Sequence, residues 1–233
     1  MINRSLPSDR RTPLVYVALG DSTVYGLGAS SPSTHYVARL FWRLHAEYPS
    51  TRLANRGACL ATTADVLSHQ IPDAIMDRPQ LVTLSVGPND LRQGRAPQDF
   101  AGRVEAILER LQRDTDAAVI LNALPDLALS PRFREPERSM VAALTRHYNH
   151  ALQHVADAFG IELVDLSIRD HMEGDPQRFF SEDGYHPSDA GYAAWAGAMW
   201  EAVRVRISAD DQGPKTRIRF EGSQVGIRSG AQS

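Results

Sequence analysis

The sequence predicts an α/β protein built on a parallel sheet of five strands with helices on both faces. Three observations carry this expectation. Short, β-branched apolar runs alternate with longer segments of helical period. Apolar residues make up 42% of the 233, roughly 98 side chains and enough for one sizeable core. Charged residues are 23%, an ordinary globular share that excludes a wholly disordered chain.

The elements follow in order. Residues 14–19 (LVYVAL) read as the first strand and 34–46 as a helix. Residues 51–54 form the second strand, followed by a helix over 63–76. Residues 81–86 (LVTLSV) form the third strand, before a helix over 98–113. Residues 118–121 (AVIL) and 161–164 supply the fourth and fifth strands, separated by a helix over 136–159. A last helix covers 188–205, where Tyr192, Trp195, Met199 and Val203 recur at steps of three and four and give one apolar stripe. Strands that alternate with helices pair in parallel and are buried on both faces. Such sheets receive ligands at the carboxyl ends of their strands. The chain thus divides into an N-terminal segment (1–13), one domain (14–207) and a Gly-, Ser- and Gln-rich tail (208–233). An alternating stretch at 216–221 (TRIRFE) leaves a second reading of that tail open, as an edge strand or dimer-swapped arm that would make the chain a homo-oligomer.

Charge and cysteine use narrow the function. The balance is 25 basic to 28 acidic residues, a net −3, so there is no excess positive field to gather nucleic acid or anionic lipid. A single cysteine, Cys59, excludes an intrachain disulfide framework and a Cys-rich zinc site. The early apolar run has six residues, too short for a secretory core. The longest mostly apolar stretch, 190–200, has 11 residues against the roughly 20 needed to span a bilayer. A cytoplasmic protein without a membrane span is the expectation.

The strand ends carry the chemistry. The first strand runs into Gly20-Asp21-Ser22-Thr23, the second into Asn55-Arg56-Gly57-Ala58-Cys59-Leu60, and the third into Gly87-Pro88-Asn89-Asp90. Near the C-terminal end stands Asp183-Gly184-Tyr185-His186-Pro187. Gly-Asp-Ser alone is ordinary turn chemistry; the set is more informative. Ester hydrolysis needs a hydroxyl nucleophile, a base that is neutral near pH 7, a carboxylate to orient that base, and donors for a developing oxyanion. Serine, histidine, an aspartate three residues before it, asparagine and loop amides meet that list.

In these four blocks the sequence resembles the SGNH or GDSL-type serine hydrolases, over about residues 14–205. The resemblance implies a flavodoxin-like, three-layer α/β/α fold and an esterase that needs no metal or organic cofactor. It implies Ser22 as nucleophile, His186 as general base and then acid, and Asp183 as the orienting acid. Ser22, Leu60 and Asn89 would form the oxyanion hole. The substrate class implied is a small or medium acyl ester. A thioesterase, carbohydrate deacetylase or acyltransferase would use the same site, and a non-catalytic glycan- or lipid-binding domain is the rival from another class. Leu60 departs from the family pattern, which has glycine there: leucine keeps the amide hydrogen, disfavours positive φ and narrows the pocket. Gly57 is the fallback donor. Pro88 removes one amide and stiffens its turn.

Other candidates have plainer readings. Cys59 reads as inert. His147, His150 and His154 share one helix face and read as solvated, with a metal site as the alternative. Asp21 and Asp90 read as loop-fixing residues. Arg92, Arg95, Arg132, Arg134 and Arg138 are expected near the pocket rim, as surface charge or as a preference for negatively charged substrates. Leu91, Leu124, Leu127 and Leu129 could line an acyl groove there.

Overall fold

A computed structural model describes residues 4–166 and 176–208. Five parallel strands, β1 (Val15–Gly20), β2 (Arg52–Asn55), β3 (Leu81–Ser85), β4 (Ala118–Asn122) and β5 (Leu163–Val164), form one sheet in the order β2-β1-β3-β4-β5. Every residue of β1, β3 and β4 is buried, as central parallel strands require, whereas β2 is an edge strand whose residues are exposed or half-buried. The expected α/β/α architecture is therefore present.

The period of two along the strands sorts the core into two layers. On one face Val15, Val17, Leu19, Val82, Leu84, Val119 and Leu121 pack with side chains of α4 (Ile71–Met76), α6 (Pro97–Asp114) and α7 (Glu137–Phe159). On the other face Tyr16, Ala18, Leu81, Ala118 and Ile120 meet α2 (Tyr36–Glu47) and α8 (Asp189–Ser208). There the predicted stripe of Tyr192, Trp195, Met199 and Val203 is buried, and Tyr36 stacks on Trp195 with ring centres 5.1 Å apart. The N-terminal segment joins this layer, with Leu6 buried and its amide donating to the Arg206 carbonyl at 2.9 Å.

One element departs from the expected regular helix. Residues 63–76 form α3 (Thr63–Asp65), a π-turn (Val66–Gln70) and then α4. Pro72 enters the first turn of α4 without an amide hydrogen, so the hydrogen-bond step changes before it, and the Ile71 amide donates five residues back to Val66. Among the described residues no helix is long and apolar enough to cross a membrane. The tail or arm expected beyond residue 208, with its stretch at 216–221, lies outside the described residues.

Candidate active site

In this strand order the connection reverses between β1 and β3, which opens a crevice beyond their carboxyl ends. β1 ends at Gly20, whose φ of 145° suits glycine and where an added Cβ would lie 1.8 Å from the Ser85 carbonyl of β3. Asp21 then caps α1 (Ser22–Tyr25): its carboxylate accepts from the Thr23 amide at 2.9 Å and the Thr23 hydroxyl at 2.8 Å. Ser22 is therefore the first residue of that helix. Its amide is one of the unpaired donors every helix start leaves, and among the described residues it donates to nothing.

A residue outside the sequence reading holds this turn. Gln70 is buried, and its side chain clamps Gly20 from both sides, accepting from the Gly20 amide and donating to the Gly20 carbonyl, each at 2.8 Å. The β1–β2 ladder ends at Ala18, beyond which the Ala58 amide donates to the Gly20 carbonyl at 3.2 Å and Gln70 supplies the partner of the Gly20 amide. The π-turn that ends at Gln70 precedes this contact. The sequence carries no local signal for this contact, since Gln70 is one of several polar residues in the segment 63–76.

Ser22 and His186 are 164 residues apart in sequence and meet in space: Ser22 Oγ lies 3.0 Å from His186 Nε2. His186 Nδ1 lies 2.5 Å from Asp183 Oδ2. The Asp183 carboxylate also accepts from the Ser181 hydroxyl at 2.9 Å and from the amides of Tyr185 at 2.8 Å and His186 at 2.9 Å. Burial alone would raise its pKa, but these hydrogen bonds, with His186 first, outweigh burial and hold the carboxyl well below the usual range. Asp21 behaves oppositely. Burial pushes its pKa up to about 6 against the bonds from Thr23, and the nearby Asp90 adds slightly to the rise.

Three residues that line the cavity each keep a donor hydrogen that bonds to nothing among the described residues. Beside the Ser22 amide stands the side-chain amide of Asn89, in α5 (Pro88–Arg92). It gives one hydrogen to the Ala61 carbonyl at 3.0 Å and leaves the other free. Pro88 occupies the first turn of α5, where its missing amide costs no intrahelical bond. Leu60 is the third. Contrary to the expectation for leucine, it adopts positive φ, 65°, and so keeps the backbone shape a glycine would give. Its amide is unpaired among the described residues, and the residue is 65% exposed on the cavity wall. Gly57, the fallback, is excluded as a donor because its amide is bonded to Asn55 Oδ1 at 2.9 Å. Gly57 serves close packing instead: a Cβ there would come within 2.4 Å of the Tyr25 amide nitrogen.

Several neighbours find structural employment. Asp90 is fully buried and accepts from the Thr63 amide at 2.9 Å, the Thr63 hydroxyl at 2.7 Å and Arg95 at 3.0 Å. Arg95 is thus turned inward and Arg138 donates to the Phe133 carbonyl, so of the five arginines only Arg92 and Arg132 line the cavity. Leu127 and Leu129 line it too, whereas Leu91 and Leu124 pack in the core. Cys59 is exposed on the cavity wall. His147, His150 and His154 lie apart, in a shallow groove between α6 and α7, and among the described residues no three His, Cys, Asp or Glu side chains are grouped to hold a metal.

The cavity encloses about 320 Å³ and its wall is mainly apolar, with Leu27, Leu166, Phe179, Phe180 and Trp195 beside the donors. Comparison with known proteins gives the same family. The chain is 27% identical over 191 residues to the GDSL-like esterase Rv1075c of Mycobacterium tuberculosis, over 79% of this chain and 60% of that protein. It thus spans less than two thirds of that relative. In fold it is similar to LAE5, an alpha/beta hydrolase enzyme from the metagenome of Lake Arreo, Spain (TM-score 0.67, 23% identity, 82% of this chain and 95% of that one). It is also similar to the lipase Lip_vut3 from a goat rumen metagenome (TM-score 0.68, 21% identity, 81% and 97%). A model of the GDSL-like lipase/acylhydrolase family matches residues 18–194, from the end of β1 into α8, and the chain belongs to that family.

Proposed function

We propose that the chain hydrolyses carboxylic esters with small or medium acyl groups through an acyl-enzyme on Ser22. The observation that carries this is the line Ser22 Oγ, His186, Asp183, at 3.0 and 2.5 Å. In that reading neutral His186 Nε2 takes the Ser22 proton as Oγ bonds to the ester carbonyl carbon. Asp183 holds Nδ1–H and stabilises the imidazolium. Its depressed pKa keeps it ionised for that task across the neutral range. The carbonyl oxygen becomes negative and meets the amides of Ser22 and Leu60 and the free hydrogen of Asn89 Nδ2. Collapse breaks the bond to the alcohol oxygen, which leaves with the proton from His186. Water, deprotonated by the same imidazole, then repeats the sequence and releases the acid and Ser22.

The mainly apolar wall supports an acyl chain as part of the substrate. The test is a panel of p-nitrophenyl esters and thioesters of increasing chain length, run beside Ser22→Ala, together with labelling by a fluorophosphonate probe. Ester turnover and labelling, both lost in Ser22→Ala, are expected. A wild-type protein that neither turns over esters nor takes the label would leave the binding-domain reading in its place.

A further inference from the structure

Two arginines reach the cavity from different elements: Arg92 ends α5, and Arg132 lies in the loop between β4 and α7. Both are exposed. Two other arginines have carboxylate partners, Arg95 with Asp90 at 3.0 Å and Arg56 with Asp77 at 2.8 Å. Among the described residues Arg92 and Arg132 have none. Arg92 makes only a long approach, 3.5 Å, from its guanidinium to Asn89 Oδ1. Tyr185 lines the same cavity, and both guanidinium groups act electrostatically on its hydroxyl. That hydroxyl bonds to no other described residue, and as a phenol it is protonated at neutral pH and can donate, burial raising its pKa further. The acidic groups on the same wall are engaged: Asp126 accepts from the Ala128 amide, Asp21 from Thr23, and Asp183 from His186. Those bonds leave the carboxylates charged but already committed as acceptors, so Arg92 and Arg132 are the charged groups on this wall whose donors bond to no carboxylate among the described residues.

We infer that the preferred substrate is an ester that also carries an anionic group, a carboxylate in its simplest form, received by Arg92, Arg132 and the Tyr185 hydroxyl. The inference rests on the esterase reading above and specifies its substrate class. A partner-free guanidinium needs no internal ion pair broken before it binds, and its fork matches a carboxylate with two parallel bonds. The adjoining Leu127 and Leu129 then accommodate the apolar remainder of the molecule.

The test compares isosteric esters that differ in one charge. On the acyl side these are the mono-p-nitrophenyl ester of adipic acid and its terminal carboxamide. On the alcohol side they are 4-carboxyphenyl acetate and 4-carbamoylphenyl acetate. The expected result is a carboxylate-to-carboxamide ratio in kcat/KM of about tenfold on at least one side at low salt. That ratio should shrink in 0.5 M NaCl. It should fall toward one in Arg92→Gln/Arg132→Gln and fall below one in Arg132→Glu. Ratios at or below one for wild type on both sides, or a ratio unmoved in the double variant, would overturn it while turnover of the carboxamides left the esterase reading standing. Failure to hydrolyse any of the four, with no phosphonate labelling, would instead remove the esterase reading and this inference with it.

Discussion

The two halves of the proposed catalytic apparatus are built in opposite ways. Ser22 is carried by the sheet: it follows a fully buried strand, its turn is clamped by Gln70, and its supporting carboxylate, Asp21, is buried. His186 is carried by a loop outside the sheet, and its partner Asp183 is only three residues away with a side chain 41% exposed. On the serine side, position depends on long-range packing. On the histidine side it depends on bonds within residues 181–187, chiefly the Ser181 amide to the His186 carbonyl at 2.8 Å, and on a tie from the Ser130 hydroxyl to the Gly184 carbonyl at 2.6 Å. Damage to the first half should therefore appear in stability and rate together, and damage to the second mainly in rate.

The sharpest break is chemical. Ser22→Ala or His186→Ala should lower kcat for p-nitrophenyl acetate by roughly 10⁴- to 10⁶-fold with the melting transition retained. Asp183→Asn should follow at roughly 10⁴-fold, because an asparagine can leave the imidazole in the wrong tautomer. Equal kcat values for Asp183→Asn and wild type would show that the loop orients His186 without its carboxylate.

This contrast also explains what could be read from residues alone. β1, β3 and β4 were legible because strands buried on both faces are continuously apolar, and α8 because its buried side chains recur at helical steps. The Asp183–His186 contact was legible because it is local. The meeting of Ser22 with His186 rested on four ordered blocks, not on any spacing rule, since 164 residues separate them. Gln70 escaped notice because its partner is backbone, and backbone partners leave no pattern in a sequence. Arg95 was misplaced on the rim for a related reason: its partner, Asp90, is buried by tertiary packing.

Gln70→Leu tests the serine side at intermediate size. The buried Gly20 amide would lose its partner while the carbonyl keeps the Ala58 amide at 3.2 Å, which costs about 1–3 kcal/mol in urea denaturation. A fall in kcat of about ten- to a hundredfold should accompany it through displacement of Ser22. Unchanged stability would show that a neighbouring group replaces the clamp.

The two aspartates give opposite pH signatures. Asp21 has a folded pKa raised from 3.8 to about 6, so the folded state binds more protons than the unfolded chain between those values. Its contribution is fully present below about pH 4 and is lost as pH rises through 6. Asp21→Asn keeps an acceptor for the Thr23 amide without the buried charge. It should gain up to about 3 kcal/mol over wild type at pH 7 and nothing at pH 4 in urea midpoints. Asp183, with its folded pKa depressed, is ionised in both states above the ordinary carboxylate range. Its contribution is present there and is lost only as pH falls below it. A difference between wild type and Asp21→Asn that stays constant from pH 4 to 7 would show that Asp21 is not the titrating group.

The smallest expected effect concerns Leu60, where leucine sits at φ 65°. A left-handed conformation costs an L-residue about 1–2 kcal/mol, while glycine costs roughly 0.5–1 kcal/mol in lost chain freedom. Leu60→Gly should therefore change stability by less than about 1 kcal/mol and preserve turnover, because the amide of residue 60 stays where it is. Leu60→Val carries a β-branch into the same backbone shape and should cost more. If the valine amide swings away, kcat should fall while KM for a short ester holds, since the oxyanion forms only in the transition state. Identical kcat for leucine, glycine and valine would remove position 60 from the hole and leave Ser22 and Asn89 as its donors.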